Sequence, residues 1–435
     1  MKTPGIKWHD LKHGGFFMDI WHIRGGSRLE GTCFVQGSKN ASLPIIAASI
    51  VSPSRTELQN VPQLRDVDAA LRILRHLGCT AEQHGSDVYI DSSGLAGSTI
   101  PHRLMEEMRS SVIFMGALIA RCGEAHLSLP GGCQLGKRPI DMHLASLRCM
   151  GAEIEEDGSE ISCRAESLNG AEIRLPFPSV GATENIMLAA VKAKGKTVIH
   201  GAAREPEITA LQDYLRFLGA EISGAGTDTV TIDGFHPEES VRCRIIPDRI
   251  VASTIACAAA ATGGDVEMRG VDGTHFSTVL RFLNKAGCDI ITKNRSVRLV
   301  SKGRLKSAGE IVTAPYPGFP TDAQPVLMAA LLRAEGRTEI TETIFENRYR
   351  QVAELRRLGA DITVTDRVAE IWGVDRLHGT TLTATDLRGG AAMIVAGLSA
   401  EGETVIFDEG HVRRGYERFD TRLRGLGADI VLGME

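Results

Sequence analysis

Six times along the chain the same short phrase returns: leucine, three variable residues, glycine, then cysteine or alanine. It stands at Leu74–Cys79, Leu147–Ala152, Leu215–Ala220, Leu283–Cys288, Leu355–Ala360 and Leu423–Ala428. The glycines Gly78, Gly151, Gly219, Gly287, Gly359 and Gly427 fall about 70 residues apart, a spacing that belongs to repeated supersecondary units. A glycine at this place reads as a helix C-cap, because the cap takes a left-handed conformation that a Cβ disfavours. Strand-like tails such as Asp87–Asp91 and Thr229–Asp233 follow, alternating apolar and polar residues.

A second element recurs between these: an alanine-rich helix, a turn and a short strand. Copies lie at Ala117–Leu127, Ala189–Ile199, Ala258–Met268, Ala329–Ile340 and Ala396–Ile406, with a looser one at Ala47–Leu58. These helices are apolar nearly all round, so each is expected at the buried centre of its domain. A unit therefore reads helix, strand, helix, strand. At 435 residues the chain exceeds one ordinary core. Six α/β units split three and three give two similar domains with a cleft between them, where ligands tend to sit and around which domains can close. Repetition alone names no activity.

Several broad classes are disfavoured. The formal net charge is −5 and aromatics are only 5%, which argues against nucleic acid and an anionic membrane as main partners. The longest apolar run, near Ser111–Ala120, is far short of the roughly 20 residues a membrane span needs. Met1–Phe16 is polar, so no signal peptide is expected. Nine cysteines without a Cys-x-x-Cys pair indicate neither a disulfide framework nor a zinc site, and a reducing cytoplasm fits best.

Segments that break the repeat carry the candidate chemistry. Ser128–Asp141 sets Cys133 among Gly131, Gly132 and Gly136 and follows it with Lys137, Arg138 and Asp141. It reads as a loop in which nearby cations lower the thiol pKa and suit a phosphate or carboxylate, or as a surface loop with an inert cysteine. Gln36–Ala41 puts Lys39 and Asn40 at a helix start, as an anion site or as ordinary capping. Arg109-Ser110-Ser111 opens the apolar helix. Pro178–Asn185 offers backbone amides or a plain cap. Asp322 follows Phe319-Pro320-Thr321 as an Asx cap or a general base. Thr341–Arg348, Thr385–Arg388 and Arg413–Arg418 pass alone for surface salt bridges, but they recur at corresponding places in successive repeats. Pro247-Asp248-Arg249 lies where the chain is expected to cross between domains.

In order, Gly37–Asn40, Leu129–Asp141, Pro178–Thr183, Ala203–Glu207, Phe319–Asp322, Thr343–Arg348, Asp386–Arg388 and Arg414–Glu417 resemble the motifs of the enolpyruvyl transferases. The likeness runs from about Ile23 to Leu432, and the cysteine loop is specific to the UDP-sugar branch. The resemblance implies an α/β fold of two inside-out barrel domains, each of three βαβαββ units. The division expected is an extension over 1–17, one domain over 39–246 carrying the Cys133 loop, and one over 18–38 plus 247–435 containing both termini.

The resemblance also implies transfer of enolpyruvate from phosphoenolpyruvate to the 3'-hydroxyl of UDP-N-acetylglucosamine with release of phosphate, the committed step of peptidoglycan precursor synthesis. Cys133 then matches the proton donor to C3 and the target of fosfomycin. Asp322 matches the base, and Lys39, Arg138 and Arg414 match the groups holding phosphate and carboxylate. Asn40, Arg109, Arg138, Pro139, Ile140, Asp141, Ser179, Val180, Gly181, Asp322 and Ile344 match nucleotide-sugar contacts. Asp386 and Arg388 match residues lining the cleft, and Arg348 is expected among the substrate-binding residues. No metal, organic cofactor or obligate protein partner is implied. Ile113, Phe177, Val251 and Arg413 depart from the family's pattern, which keeps open a UDP-sugar-binding regulator or a transferase with another acceptor.

Overall fold

The computed structural model describes residues 18–108, 110–128 and 140–434. Its strands form six four-stranded sheets, one per repeat. The third unit shows the plan. Strand Glu172–Arg174 leads to helix Val180–Ala190, strand Thr197–His200, helix Pro206–Phe217 and the hairpin of Ala220–Ser223 with Thr229–Phe235. The first two strands pair in parallel and the hairpin closes antiparallel. The unit is thus βαβαββ.

The recurring phrase now has a physical cause. All six glycines have positive φ, from 94° to 105°. In five of the six the N–H after the glycine bonds back to the leucine carbonyl, at 3.0 Å for Cys79 to Leu74 and for Ala428 to Leu423. Leucine anchors the helix end, glycine reverses it, and the next residue enters the strand.

Six central helices carry the expected apolar faces: α1 (Lys39–Ala48), α2 (Phe114–Cys122), α3 (Val180–Ala190), α4 (Arg249–Ala261), α5 (Gln324–Ala330) and α6 (Leu387–Ser399). Nearly every residue from Ile250 to Ala260, and every one from Arg388 to Ser399, is buried. The helices α4, α5 and α6 pack against one another pairwise, and α2 packs on α3. Buried apolar side chains fall into two clusters. One draws on residues 41–245 and the other on residues 21–35 and 251–430. We call these the first and second lobes.

Each lobe is closed by a strand distant in sequence from its partner. Strand β1 (Asp19–Arg24) sits between Glu403–Asp408 and Asp429–Met434, completing the last unit. Strand β2 (Glu30–Phe34) pairs with Asp265–Arg269 in the second lobe, although it precedes the first. Strand β3 (Ser240–Arg244) returns to pair with Arg55–Gln59 in the first lobe. The two crossings lie side by side. Ser38 N–H bonds Ile246 O at 2.7 Å and Asp248 N–H bonds Gln36 O at 2.9 Å. Among the described residues no helix is long and apolar enough to cross a membrane.

Two of the repeat glycines test the cap. A Cβ on Gly219 would lie 1.8 Å from His236 O, whereas one on Gly287 would meet nothing within 4 Å. Gly287→Ala should cost only the left-handed penalty, about 1–2 kcal/mol. Gly219→Ala should cost clearly more. Urea midpoints of the two variants measure the difference, and equal losses would remove the clash at His236 from the account.

Candidate functional site

The site begins at the N-terminal ends of the central helices. Ser38 caps α1 by accepting from Ala41 N at 3.2 Å, which leaves Lys39 as the first helical residue. Lys39 Nζ reaches Asp66 Oδ2 at 3.3 Å. Asp66 lies in helix Arg65–His76 and its side chain is 3% exposed. From the second lobe Arg414 donates to the same carboxylate, Nε to Oδ1 at 2.8 Å and Nη2 to Oδ2 at 3.2 Å. Two cations from different lobes therefore share one buried anion. Burial drives the Lys39 ammonium pKa down, against the pull of Asp66. For Asp66 burial opposes ionisation, but Lys39 and Arg414 outweigh it and its pKa falls.

Asp322 forms a second cluster beside the first. It sits in the turn Thr321–Ala323 that leads into α5. Arg348 Nη2 donates to Oδ1 at 2.6 Å and Arg388 Nη2 to Oδ2 at 3.4 Å. Arg348 is fully buried and also donates through Nε and Nη2 to Thr321 O. Burial alone would raise the Asp322 pKa. Arg388, Arg348 and Lys39 reverse that and hold it far below the usual carboxylate range. Arg388 is oriented by Tyr416, whose hydroxyl lies 3.5 Å from its Nη1 and 2.9 Å from Thr254 Oγ1. Lys39 feels the charges of Asp322, Arg388 and Arg414, so the two clusters form one charged field.

The helix ends are joined as well. Asp248 caps α4 by accepting from Ile250 N and Val251 N, and it also accepts from Lys39 N at 3.2 Å. Asp248 thereby joins the N-termini of α1 and α4, the Asp322–Arg388 contact joins those of α5 and α6, and helix dipoles add positive potential at these ends.

Among the other expected residues, Asn40 follows Lys39 in α1 and is half-buried. Ser179 is the N-cap of α3, accepting from Ala182 N at 3.3 Å, with Val180 and Gly181 in its first turn. Ile140 and Asp141 open helix Asp141–Cys149, and Asp141 is exposed. Ile344 N is held by Glu342 Oε1 at 2.8 Å. Asp386 caps α6 through Arg388 N and Gly389 N. Arg109, Cys133, Arg138 and Pro139 lie outside the described residues, as does the 1–17 extension. Of the departures from the family pattern, Ile113 and Val251 are core residues, Arg413 pairs with buried Asp19 at 3.2 Å, and Phe177 is exposed.

Sequence reasoning missed the groups that organise these side chains. Asp66 hides in an ordinary amphipathic helix. Gln36 pins the Arg414 loop, donating to Gly415 O at 3.1 Å and accepting from Glu417 N at 2.8 Å. Arg249 crosses the lobes to Glu207 at 3.0 Å. Glu207, in a segment as charged as any solvated face, is buried. The acidic and basic letters gave no sign of which were buried. His143 packs under Gly181, where an added Cβ would lie 3.1 Å from its Cε1. Its Nδ1 accepts from Asn185 Nδ2 at 2.7 Å, and Asn185 Oδ1 takes Gly116 N at 2.7 Å.

Comparison with known proteins gives a consistent set of likenesses. The profile described as EPSP synthase (3-phosphoshikimate 1-carboxyvinyltransferase) matches residues 23–423. A protein of Caldanaerobacter subterraneus subsp. tengcongensis named UDP-N-acetylglucosamine 1-carboxyvinyltransferase 2 is 48% identical over 414 residues, 95% of this chain and 99% of that one. One of Symbiobacterium thermophilum named UDP-N-acetylglucosamine 1-carboxyvinyltransferase 1 is 47% identical over 414 residues, 94% of each. Among solved structures, the enolpyruvyl transferase NikO from Streptomyces tendae superposes with a TM-score of 0.87 at 26% identity, over 96% of this chain and all of that one. EPSP synthase from Acinetobacter baumannii does so at 0.76 and 22% identity, over 96% of this chain and all of that one, a likeness of fold alone.

Two groups separate the acid response into windows. Burial pushes the His143 pKa down to about 4. The unfolded chain therefore takes up that proton first, and stability falls as pH drops from about 6.5 to 4, by roughly 3 kcal/mol. The depressed Asp322 adds stability that is present above about pH 4 and lost below it. His143→Asn should flatten the first decline in urea midpoint and Asp322→Asn the second. A His143→Asn curve as steep as wild type would assign the first decline elsewhere.

Proposed function

Because the chain belongs to the EPSP synthase (3-phosphoshikimate 1-carboxyvinyltransferase) family of enolpyruvyl transferases, we propose that it moves enolpyruvate from phosphoenolpyruvate to the 3'-hydroxyl of UDP-N-acetylglucosamine, releasing phosphate. The observation that carries this reading is the meeting of Lys39 and Arg414, from opposite lobes, on the single carboxylate of Asp66. Such a pair fits an anion with more than one charge, and Asp66 holds it assembled until one arrives. The same reaction would supply the first committed precursor of peptidoglycan, in a cytoplasm that keeps the Cys133 thiol reduced.

The chemistry needs a hydroxyl oxygen to bond to C2 of phosphoenolpyruvate while C3 gains a proton. The tetrahedral adduct then loses a proton from C3 and expels phosphate. Asp322 receives the hydroxyl. Held ionised by Arg348 and Arg388, it is a hydrogen-bond acceptor at every working pH and only a weak base. It takes the proton late, once the forming C–O bond has made the hydroxyl acidic. Lys39 and Arg414, with Arg138 from the loop, hold phosphate and carboxylate and offset the charge on the departing phosphate. Cys133 supplies the proton to C3. Asn40, Arg109, Arg138, Pro139, Ile140, Asp141, Ser179, Val180, Gly181 and Ile344 form the nucleotide-sugar side with Asp322, while Asp386 and Arg388 line the cleft and Arg348 supports the substrate side through Asp322. The two walls are the domains we infer over 39–246 and over 18–38 plus 247–435.

Phosphate release measured with each substrate alone and with both tests this reading. Release is expected only with both present. Cys133→Ala should abolish it, and fosfomycin should add its mass to the Cys133 peptide. Calorimetric binding of UDP-N-acetylglucosamine without phosphate release would make the chain a sensor. Release with shikimate 3-phosphate instead would reassign the acceptor.

A further inference from the structure

Glu342 is a buried carboxylate that the reaction as written does not use. It follows strand Arg337–Thr341 and is 0% exposed. Its Oε1 accepts from Thr313 Oγ1 at 3.0 Å, Ile344 N at 2.8 Å and Phe345 N at 3.1 Å. Its Oε2 accepts from Thr321 Oγ1 at 2.9 Å. One side chain therefore ties together three segments. They are the end of strand Glu310–Val312, the turn that carries Asp322, and the turn that carries Ile344 and leads to Arg348.

An ionised carboxylate out of water costs several kcal/mol unless its lone pairs are filled. Hydroxyls and backbone amides fill them here. The amides are fixed donors, so Oε1 must be an acceptor. The Thr321 hydroxyl can turn, so its bond to Oε2 is the adjustable one. Thr321 is the pivot of the arrangement. Its hydroxyl goes to Glu342, its carbonyl takes Arg348, and its neighbour Asp322 takes Arg348 again. Thr343 repeats the clasp on Thr313, N to Oγ1 at 2.8 Å and Oγ1 to O at 2.6 Å.

We propose that Glu342 is a positioning residue for the acceptor side of the site. Through Thr321 it fixes the rotation of the Asp322 carboxylate, and through its amide contacts it fixes the Ile344 turn. The acceptor hydroxyl then meets both at set positions. This rests on the transferase reading above, and the phosphoenolpyruvate side, built on Lys39 and Arg414, does not pass through Glu342.

The test uses the full chain and steady-state phosphate release. Thr321→Val cuts the link while leaving Glu342 its other three bonds. Glu342→Ala removes the acceptor oxygens and breaks the same link from the other end. Both variants are expected to raise KM for UDP-N-acetylglucosamine about tenfold and to leave KM for phosphoenolpyruvate within twofold. The double variant should be no worse than the more affected single one, because both changes break one path. Calorimetric Kd for UDP-N-acetylglucosamine should weaken in step. Unchanged acceptor KM in both variants overturns the proposal, and so does a fall in kcat alone with both KM values unchanged, which would mean only less folded enzyme. Wild type assayed alongside separates the two readings. If it releases no phosphate, the transferase reading fails first and this proposal falls with it.

Discussion

Everything at the site depends on one buried carboxylate holding two cations that belong to different halves of the molecule. Lys39 and Arg414 would repel each other at this range if nothing stood between them. Asp66 stands there, and its cost of burial is offset only because both cations donate to it. The interaction is at once a contact between lobes and the organisation of an anion site. Any anion entering between them would compete with an internal group of like sign, so its binding would be coupled by charge to the relation of the lobes. Asp322 shows the same economy. Two guanidiniums clamp it, and the clamp that keeps it ionised also limits it as a base.

Much of the scaffold was legible in the letters because it repeats. The phrase at Leu74–Cys79 and its five copies encodes a helix end that has one geometric solution, and the six positive φ values record it. The alanine-rich helices announced their burial through the lack of a polar face. The candidate residues were legible in part for a related reason. Lys39, Ser179, Asp322, Asp386 and Arg388 sit at helix starts, where capping letters stand out against apolar runs. Asp66 and Glu342 were not legible. A charged residue in an amphipathic helix, or after a strand, looks solvated until its neighbours from distant repeats are known. Gln36 and His143 hid for the same reason, since each acts on a backbone or a side chain more than 40 residues away.

The fold also explains why the chemistry gathers where it does. Four helices, each buried along its length, have only their ends free to meet a ligand. The capping residues at those ends are polar by necessity, and Asp248 serves two helices at once. A repeat selected for packing thereby delivers amides, carboxylates and cations to one region, and changes in single cap-adjacent residues can alter specificity without disturbing the cores.

The pairing of strands distant in sequence bears on how such a chain is made. The first lobe enters and leaves through the adjacent segments around Ser38 and Ile246, so it is an insertion whose ends already touch. Strand β1 is synthesised about 380 residues before its first neighbour, Glu403–Asp408, and before the other, Asp429–Met434. The inserted lobe can complete itself during translation. The second lobe must wait, with strand β1 unpaired, until Asp429–Met434 has been made.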